Sequence, residues 1–414
     1  VYTADARNTV HERGTVLLAG GRILAVGDAS TPVPKGATTI DVSGRFITPG
    51  LIDAHSHLGV YASPEVDAHA DGNEATSPNT AEVSAEHGFW PQDPGLPRAA
   101  AAGVTTLLVL PGSANLIGGR GFSVKNHPGR SAAAVRFPGA PPVLKMACGE
   151  NPKRVYGKKS GPATRMGNVA QVRAAFLAAA EYNRKWENWT KKNKDAGKEK
   201  GELPPPRDLK LETLGEVLRG RILVQNHCYR ADEMLLMMEV GEELGFRIRT
   251  FHHALEAYKI ADVLTRKGVA VATWADWWGF KLEAFDGVPE NLAQIHGAGG
   301  RAIVHSDSPI GIQHLNVGAA QGLAAGRAAG LTISAAEALR WITINPAWAL
   351  GVDGQTGSLE TGKMADVVVW SHDPLSIYAR AERVFVDGQV VFDRGEGMRP
   401  SDFELGLLPP EVTP

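Results

Sequence analysis

Between residues 51 and 350, short apolar runs of strand length alternate with segments of helical period, and no other feature narrows the possible folds as much. Strand-like runs occur at 103–110, 142–147, 221–226, 246–251, 268–273 and 301–304. Helical patterns lie between or after them at 168–180, 231–244, 255–266, 290–298, 315–329 and 334–344. A strand followed by a helix, repeated, requires parallel pairing, because the helix must carry the chain back along the sheet before the next strand begins. About eight such units predict an α/β chain folded as a closed (β/α)8 TIM-like barrel. The ends read differently. Residues 15–27 form two short strands about Gly20-Gly21, 365–370 form one strand, and 384–392 form a hairpin on Asp387-Gly388. Neither set can bury a core alone. We therefore expect 1–48 and 352–414 to meet as one small β-sandwich, with 49–351 as the barrel. Residues 181–207, rich in Lys, Glu and Asn and ending in Pro204-Pro205-Pro206, break the rhythm and read as a solvated helical excursion.

With 43% hydrophobic and 21% charged residues in 414, the chain has the composition of a soluble globular protein. A net charge of −2 and the lack of a basic, aromatic stripe argue against nucleic acid as a partner. No apolar run is long enough for a membrane span. The two cysteines, Cys148 and Cys228, cannot make a disulfide framework and leave the compartment open. The chain opens at Val1 in what reads as mid-strand, so a preceding segment is expected; a leader there would direct the protein out of the cytoplasm.

In a (β/α)8 barrel, reactive groups sit at the C-terminal ends of the strands. Here those ends carry His55 and His57 (first strand), His227 (fifth), His252-His253 (sixth) and His305-Ser306-Asp307 (eighth), with Gly149-Glu150-Asn151-Pro152 after the fourth strand and Lys145 inside it. Alternation puts His55 and His57 on one face, where they can share a metal ion. It allows only one of the adjacent pair to face inward and does not choose between His252 and His253. Imidazoles with carboxylates suit a divalent metal, Zn²⁺ above all, as one or two ions. Asp53 is expected to orient the first strand or its histidines. For the fourth strand we favour Glu150 as ligand: Gly149 permits a bend, and Asn151-Pro152 ends the strand at the rim. Lys145 is then a buried charge partner or a carbamate. His11, His69, His87, His127, His296, His314 and His372 lack this context.

The sequence resembles the amidohydrolase superfamily at Pro-Gly-Leu-Ile-Asp-Ala-His-Ser-His (49–57), at His-Ser-Asp-Ser-Pro (305–309), and at the return into the sandwich, 343–351 and 357–366. Lys-Met-Ala-x-Gly-Glu-Asn-Pro-Lys-Arg (145–154) is similar to a subgroup of the imidazolonepropionase-related branch. His-Ala-Leu-Glu-Ala-Tyr-Lys (253–259) is similar to that branch's sixth-strand pattern, which selects His253 as ligand, and the same matching makes His227 the fifth-strand ligand. Many relatives use a carboxylated lysine on the fourth strand, and Tyr229 stands where they often have a second histidine. The resemblance implies a metal-dependent hydrolase of C–N bonds, with amide or peptide substrates such as N-acyl amino acids or dipeptides. Water activated by the metal would attack, and Asp307 would act as general base and then acid, being the eighth-strand metal ligand as well. Cyclic-amide hydrolysis or deamination of a heterocycle on the same scaffold is the alternative, and a non-catalytic scaffold barrel the third reading. The segment 115–125 reads as the loop after the third strand, offering Arg120 and Lys125 to a substrate carboxylate. Trp274, Trp277, Trp278 and Phe280, with Tyr229, read as an apolar wall for substrate. The expected partner is a small molecule or short peptide, and a homo-oligomer is compatible with the sequence.

Overall fold

The computed structural model describes residues 1–398 apart from 64, 160, 194–202 and 278, so Trp278, part of the 181–207 excursion and the last part of 352–414 lie outside the described residues. Eight strands form one continuous curved sheet in chain order: β4 (Leu51–Ser56), β5 (Val104–Val109), β6 (Ile117–Lys125), β7 (Val143–Ala147), β8 (Leu223–Cys228), β9 (Ile248–His253), β10 (Ala270–Thr273) and β11 (Ala302–Val304). The earlier strands are β1 (Gly14–Ala19), β2 (Arg22–Asp28) and β3 (Phe46–Pro49). The later ones are β12 (Val367–Trp370), β13 (Ala381–Val386) and β14 (Gln389–Asp393). β1 pairs with β2, and β14, β13, β12 and β3 form a four-stranded antiparallel sheet. Ile23, Ile47, Leu359, Val367, Val369 and Phe385 share one core with Val16, Leu18 and Val26, which gives the small sandwich built from both ends of the chain.

Alternation explains how the barrel is filled. Leu107, Val109, Leu144, Met146, Val224, Phe251 and Val271 face outward into the core shared with the helices. Ile52, Ala54, Leu108, Val143, Ala270, Ala272 and Ile303 fill the interior. The long helix Arg165–Asn193 and the helix Leu209–Leu218 pack outside between β7 and β8.

One strand departs from the expected pattern. The stretch read as a loop, 115–125, is mostly β6, and it runs antiparallel to both β5 and β7. No helix separates β5 from β6, so nothing carries the chain back for a parallel entry. The reversal moves Lys125 to the end of the barrel away from the histidines. There it is buried and pairs with Asp366 at 2.7 Å and Asp387 at 2.8 Å, joining barrel to sandwich; it is not a partner for substrate.

Candidate metal centre

β4 and β11, the two edge strands of the barrel sheet, are joined at the histidine end by a side chain. Asp53, fully buried, accepts from the amides of His55 and Ser306 at 3.1 Å each and from the Ser306 hydroxyl. The Asp307 amide donates to the His55 carbonyl at 3.0 Å. Burial raises the Asp53 carboxyl to about 7 against these hydrogen bonds. Asp307 has φ 51, a left-handed conformation disfavoured for a residue with a Cβ, held by those bonds.

Around that seam the strand ends converge. His55 lies with its ring centroid 5.0 Å from His57, 4.7 Å from His252, 4.9 Å from His253 and 5.2 Å from His305. His227 lies 4.4 Å from His253. Asp307 reaches His57 Nε2 at 2.9 Å, His55 Nε2 at 3.5 Å and His253 Nδ1 at 3.9 Å. The expectation that only one of His252 and His253 faces inward does not hold. His252 enters by strand alternation, opposite in sense to Phe251. At His253 the backbone leaves the extended region, with φ 70 there and φ 38 at Ala254, and the second ring turns back to the centre.

Lys145 and Glu150 separate. The Lys145 ammonium, fully buried, lies 3.1 Å from His55 Nε2. Gly149, with φ 79, turns the chain into the helix Glu150–Tyr156, so the Glu150 carboxylate points along the rim and pairs with Lys281 at 3.3 Å. Among the described residues it makes no hydrogen bond or ion pair with an imidazole. Lys281 lies 3.9 Å over the Tyr229 ring; nothing in the sequence pattern singles it out. Arg120 is also displaced. It pairs in register with Leu144, which faces the outer core, whereas its neighbour Gly119 pairs with Lys145. Arg120 therefore faces away from the histidines. Tyr229 and Trp274 do line the centre: both stack on His253, at 5.1 and 4.7 Å, and Trp274 stacks on Trp277 at 4.9 Å. Phe280 completes this shelf, 6.1 Å from each of Tyr229 and Trp274. Two cysteines make no framework, and on whether they pair the sequence is silent; Cys148 and Cys228 form a disulfide across the ends of β7 and β8, directly after Ala147 and His227, which face each other in register.

The donor set fits a divalent cation. His57 Nδ1 lies 2.8 Å from the Leu110 carbonyl, which can only accept, so Nδ1 carries a proton and Nε2 is the nitrogen turned toward the centre. His57 Nε2 lies 2.9 Å from a carboxylate oxygen of Asp307, so the two groups that pair here are also placed to ligate one cation together. Among the described residues, His227 Nδ1 and His305 Nδ1 are buried without a hydrogen-bond partner. Burial, with the Lys145 charge next, holds His55 and His227 well below the usual imidazole range, which keeps them in the ligating neutral form. Burial raises Asp307, but the His57 hydrogen bond and nearby positive groups outweigh it, and the carboxyl stays below its ordinary value. Burial lowers Lys145 to about 7, partly opposed by Asp307.

A family model described as the amidohydrolase family matches residues 252–392. A solved amidohydrolase from Thermotoga maritima MSB8 is 38% identical, covers 92% of this chain and 95% of its own, and superposes with a TM-score of 0.81. The curated amidohydrolase tasK of Hapsidospora irregularis is 36% identical over 397 residues, 92% of this chain; the chain spans 40% of that relative's length. An imidazolonepropionase of Mesorhizobium japonicum is 26% identical over 384 residues, 87% of this chain and 86% of its own.

Proposed function

The chain belongs to the amidohydrolase superfamily, in its imidazolonepropionase-related branch, and from that premise we propose that it is a metal-dependent hydrolase of amide or peptide C–N bonds, acting on N-acyl amino acids or dipeptide-like substrates. The observation that carries this reading is the convergence of His55, His57 and Asp307, whose ligand atoms all lie within 4.8 Å of one another. His55, His57, His227, His253 and Asp307 would hold the metal, with Lys145 in place of Glu150 as the fourth-strand group. A bound divalent metal, zinc foremost, supplies Lewis-acid polarisation of the substrate carbonyl and acidifies water.

Lys145 has the chemistry for carboxylation. With its pKa lowered to about 7, a large share of the ammonium has already given up one proton at neutral pH, and the neutral amine can attack CO₂: the N–C bond forms as one C–O π bond opens, a second proton leaves the nitrogen, and an anion stands where the cation was. Asp307, ionised and anchored by Asp53 through Ser306, accepts a proton from the attacking water and returns it to the leaving nitrogen. Tyr229 and Trp274 offer flat apolar surface for an acyl group or side chain, with Trp277 and Phe280 extending it.

The test is a screen of the metal-loaded protein against N-acyl amino acids, dipeptides and cyclic ureides, with Asp307→Asn as control. Turnover of an open-chain amide is expected, and Asp307→Asn should lower kcat by about 10²–10⁴ while most metal is retained. Ammonia release from heterocycles with no amide turnover would hand the site to the deaminase reading.

A further inference from the structure

Beneath the candidate metal centre, a chain of buried polar groups runs from the barrel floor to His55. The Gln225 amide nitrogen donates to the Ala349 carbonyl at 2.9 Å. A carbonyl cannot donate, so this bond fixes which way the amide faces and leaves Gln225 Oε1 as an acceptor, 2.7 Å from His252 Nε2. His252 must therefore carry its proton on Nε2. It is wholly buried, and among the described residues no carboxylate pairs with it, so the ring is neutral and its Nδ1 is a lone pair. That lone pair lies 3.0 Å from His55 Nδ1, which must then be the protonated nitrogen of its own ring. His55 Nε2 is left as a lone pair directed at Lys145 and Asp307, 3.1 and 3.5 Å away.

We propose that Gln225 and His252 are positioning residues that set the tautomer of His55 and so present its Nε2 to the metal. The inference rests on the metal-dependent reading above but not on any substrate. It assigns the adjacent histidines different duties. His253 is left to ligate, while both ring nitrogens of His252 are engaged within the chain. A competing arrangement exists, because ligand atoms of His55, His252 and His305 lie close enough together to hold an ion. In that arrangement His252 Nδ1 would have to release His55. Alternation carries a usable signal here, since Gln225 stands two residues before His227 on the same face of β8.

The experiment uses the full chain. In the metal-free protein, imidazole ¹⁵N spectra should show His55 protonated at Nδ1; protonation at Nε2 overturns the proposal. Zinc affinity, measured by competition with a chromophoric chelator, should fall about 10- to 100-fold in His252→Leu, the usual cost of losing a partner that orients a ligand. His252→Asn places an amide oxygen near the position of Nδ1 and should keep most of the affinity. Equal losses in the two variants would assign His252 to packing, and ¹¹³Cd coupling to a His252 nitrogen would make it a ligand; either overturns the proposal. Should His252→Leu fail to fold, the wild-type spectra and His252→Asn still decide. A wild-type protein that binds no zinc defeats the hydrolase reading, whereas the tautomer of His55 is decided separately.

Discussion

Lys145 and Glu150 lie five positions apart in sequence, yet one is sealed among imidazoles and the other is on the rim beside Lys281. The difference comes from backbone geometry: Lys145 is mid-strand with its side chain inward, and the left-handed Gly149 swings Glu150 out into a helix. Reconstitution should respond accordingly. Metal-free protein given zinc is expected to regain more activity with bicarbonate than without, and Lys145→Met should lose that response. Glu150→Gln should keep its metal, read by elemental analysis. A bicarbonate-independent wild type with a metal-poor Glu150→Gln would return the fourth-strand position to Glu150. In the same way, Asp53 and Ser306 show that an orienting role depends on partners: Asp53 was legible as a helper of the first strand, but its bond to a residue 253 positions away was not.

Among the elements, β6 and the β7–β8 pair carry the main departures from the sequence reading. An antiparallel β6 puts Gly119 beside Lys145 and sends Lys125 to the sandwich junction, so a segment read as a substrate-facing loop becomes part of the wall. The Cys148–Cys228 bond ties β7 and β8 where Lys145 and His227 are carried, and closes a separation of 80 residues. Loop-closure entropy for that span is worth about 4.5 kcal/mol. Thiol titration of the unreduced, denatured protein should find no free cysteine, and Cys228→Ser should lower the denaturation midpoint of the metal-free protein. Two titratable thiols, or an unchanged midpoint, would remove the crosslink from the account.

For the molecule as a whole, the cost of gathering so many neutral imidazoles should appear as a pH dependence. Burial is the largest cause holding His55, His227, His252 and His253 well below 6.5, and it brings His305 to about 4. Between those lowered values and 6.5 the unfolded chain binds more protons than the folded one, so stability is lost as pH falls through this window. Asp53 opposes the trend: with its folded value raised to about 7 from 3.8, it favours the folded state as pH falls through the same range, but it is one group against five. Metal-free protein should therefore show a falling urea midpoint from pH 6.5 to about 4.5. A flat profile would mean that the cluster is more open to water than its burial implies.

Strand and helix periods, the His-x-His pair after Pro49-Gly50 and the split terminal strands were enough to determine a barrel with a sandwich and the end of the barrel at which histidines gather. Those signals are local: period, turn chemistry and residue type survive without knowledge of neighbours. Tertiary structure alone decided the direction of β6, the inward turn of both His252 and His253, the burial of Lys145 among the imidazoles with Glu150 out on the rim, the outward face of Arg120 and the pairing of the cysteines. Each depends on register between strands remote in sequence, or on a left-handed residue whose conformation only its packed surroundings can hold.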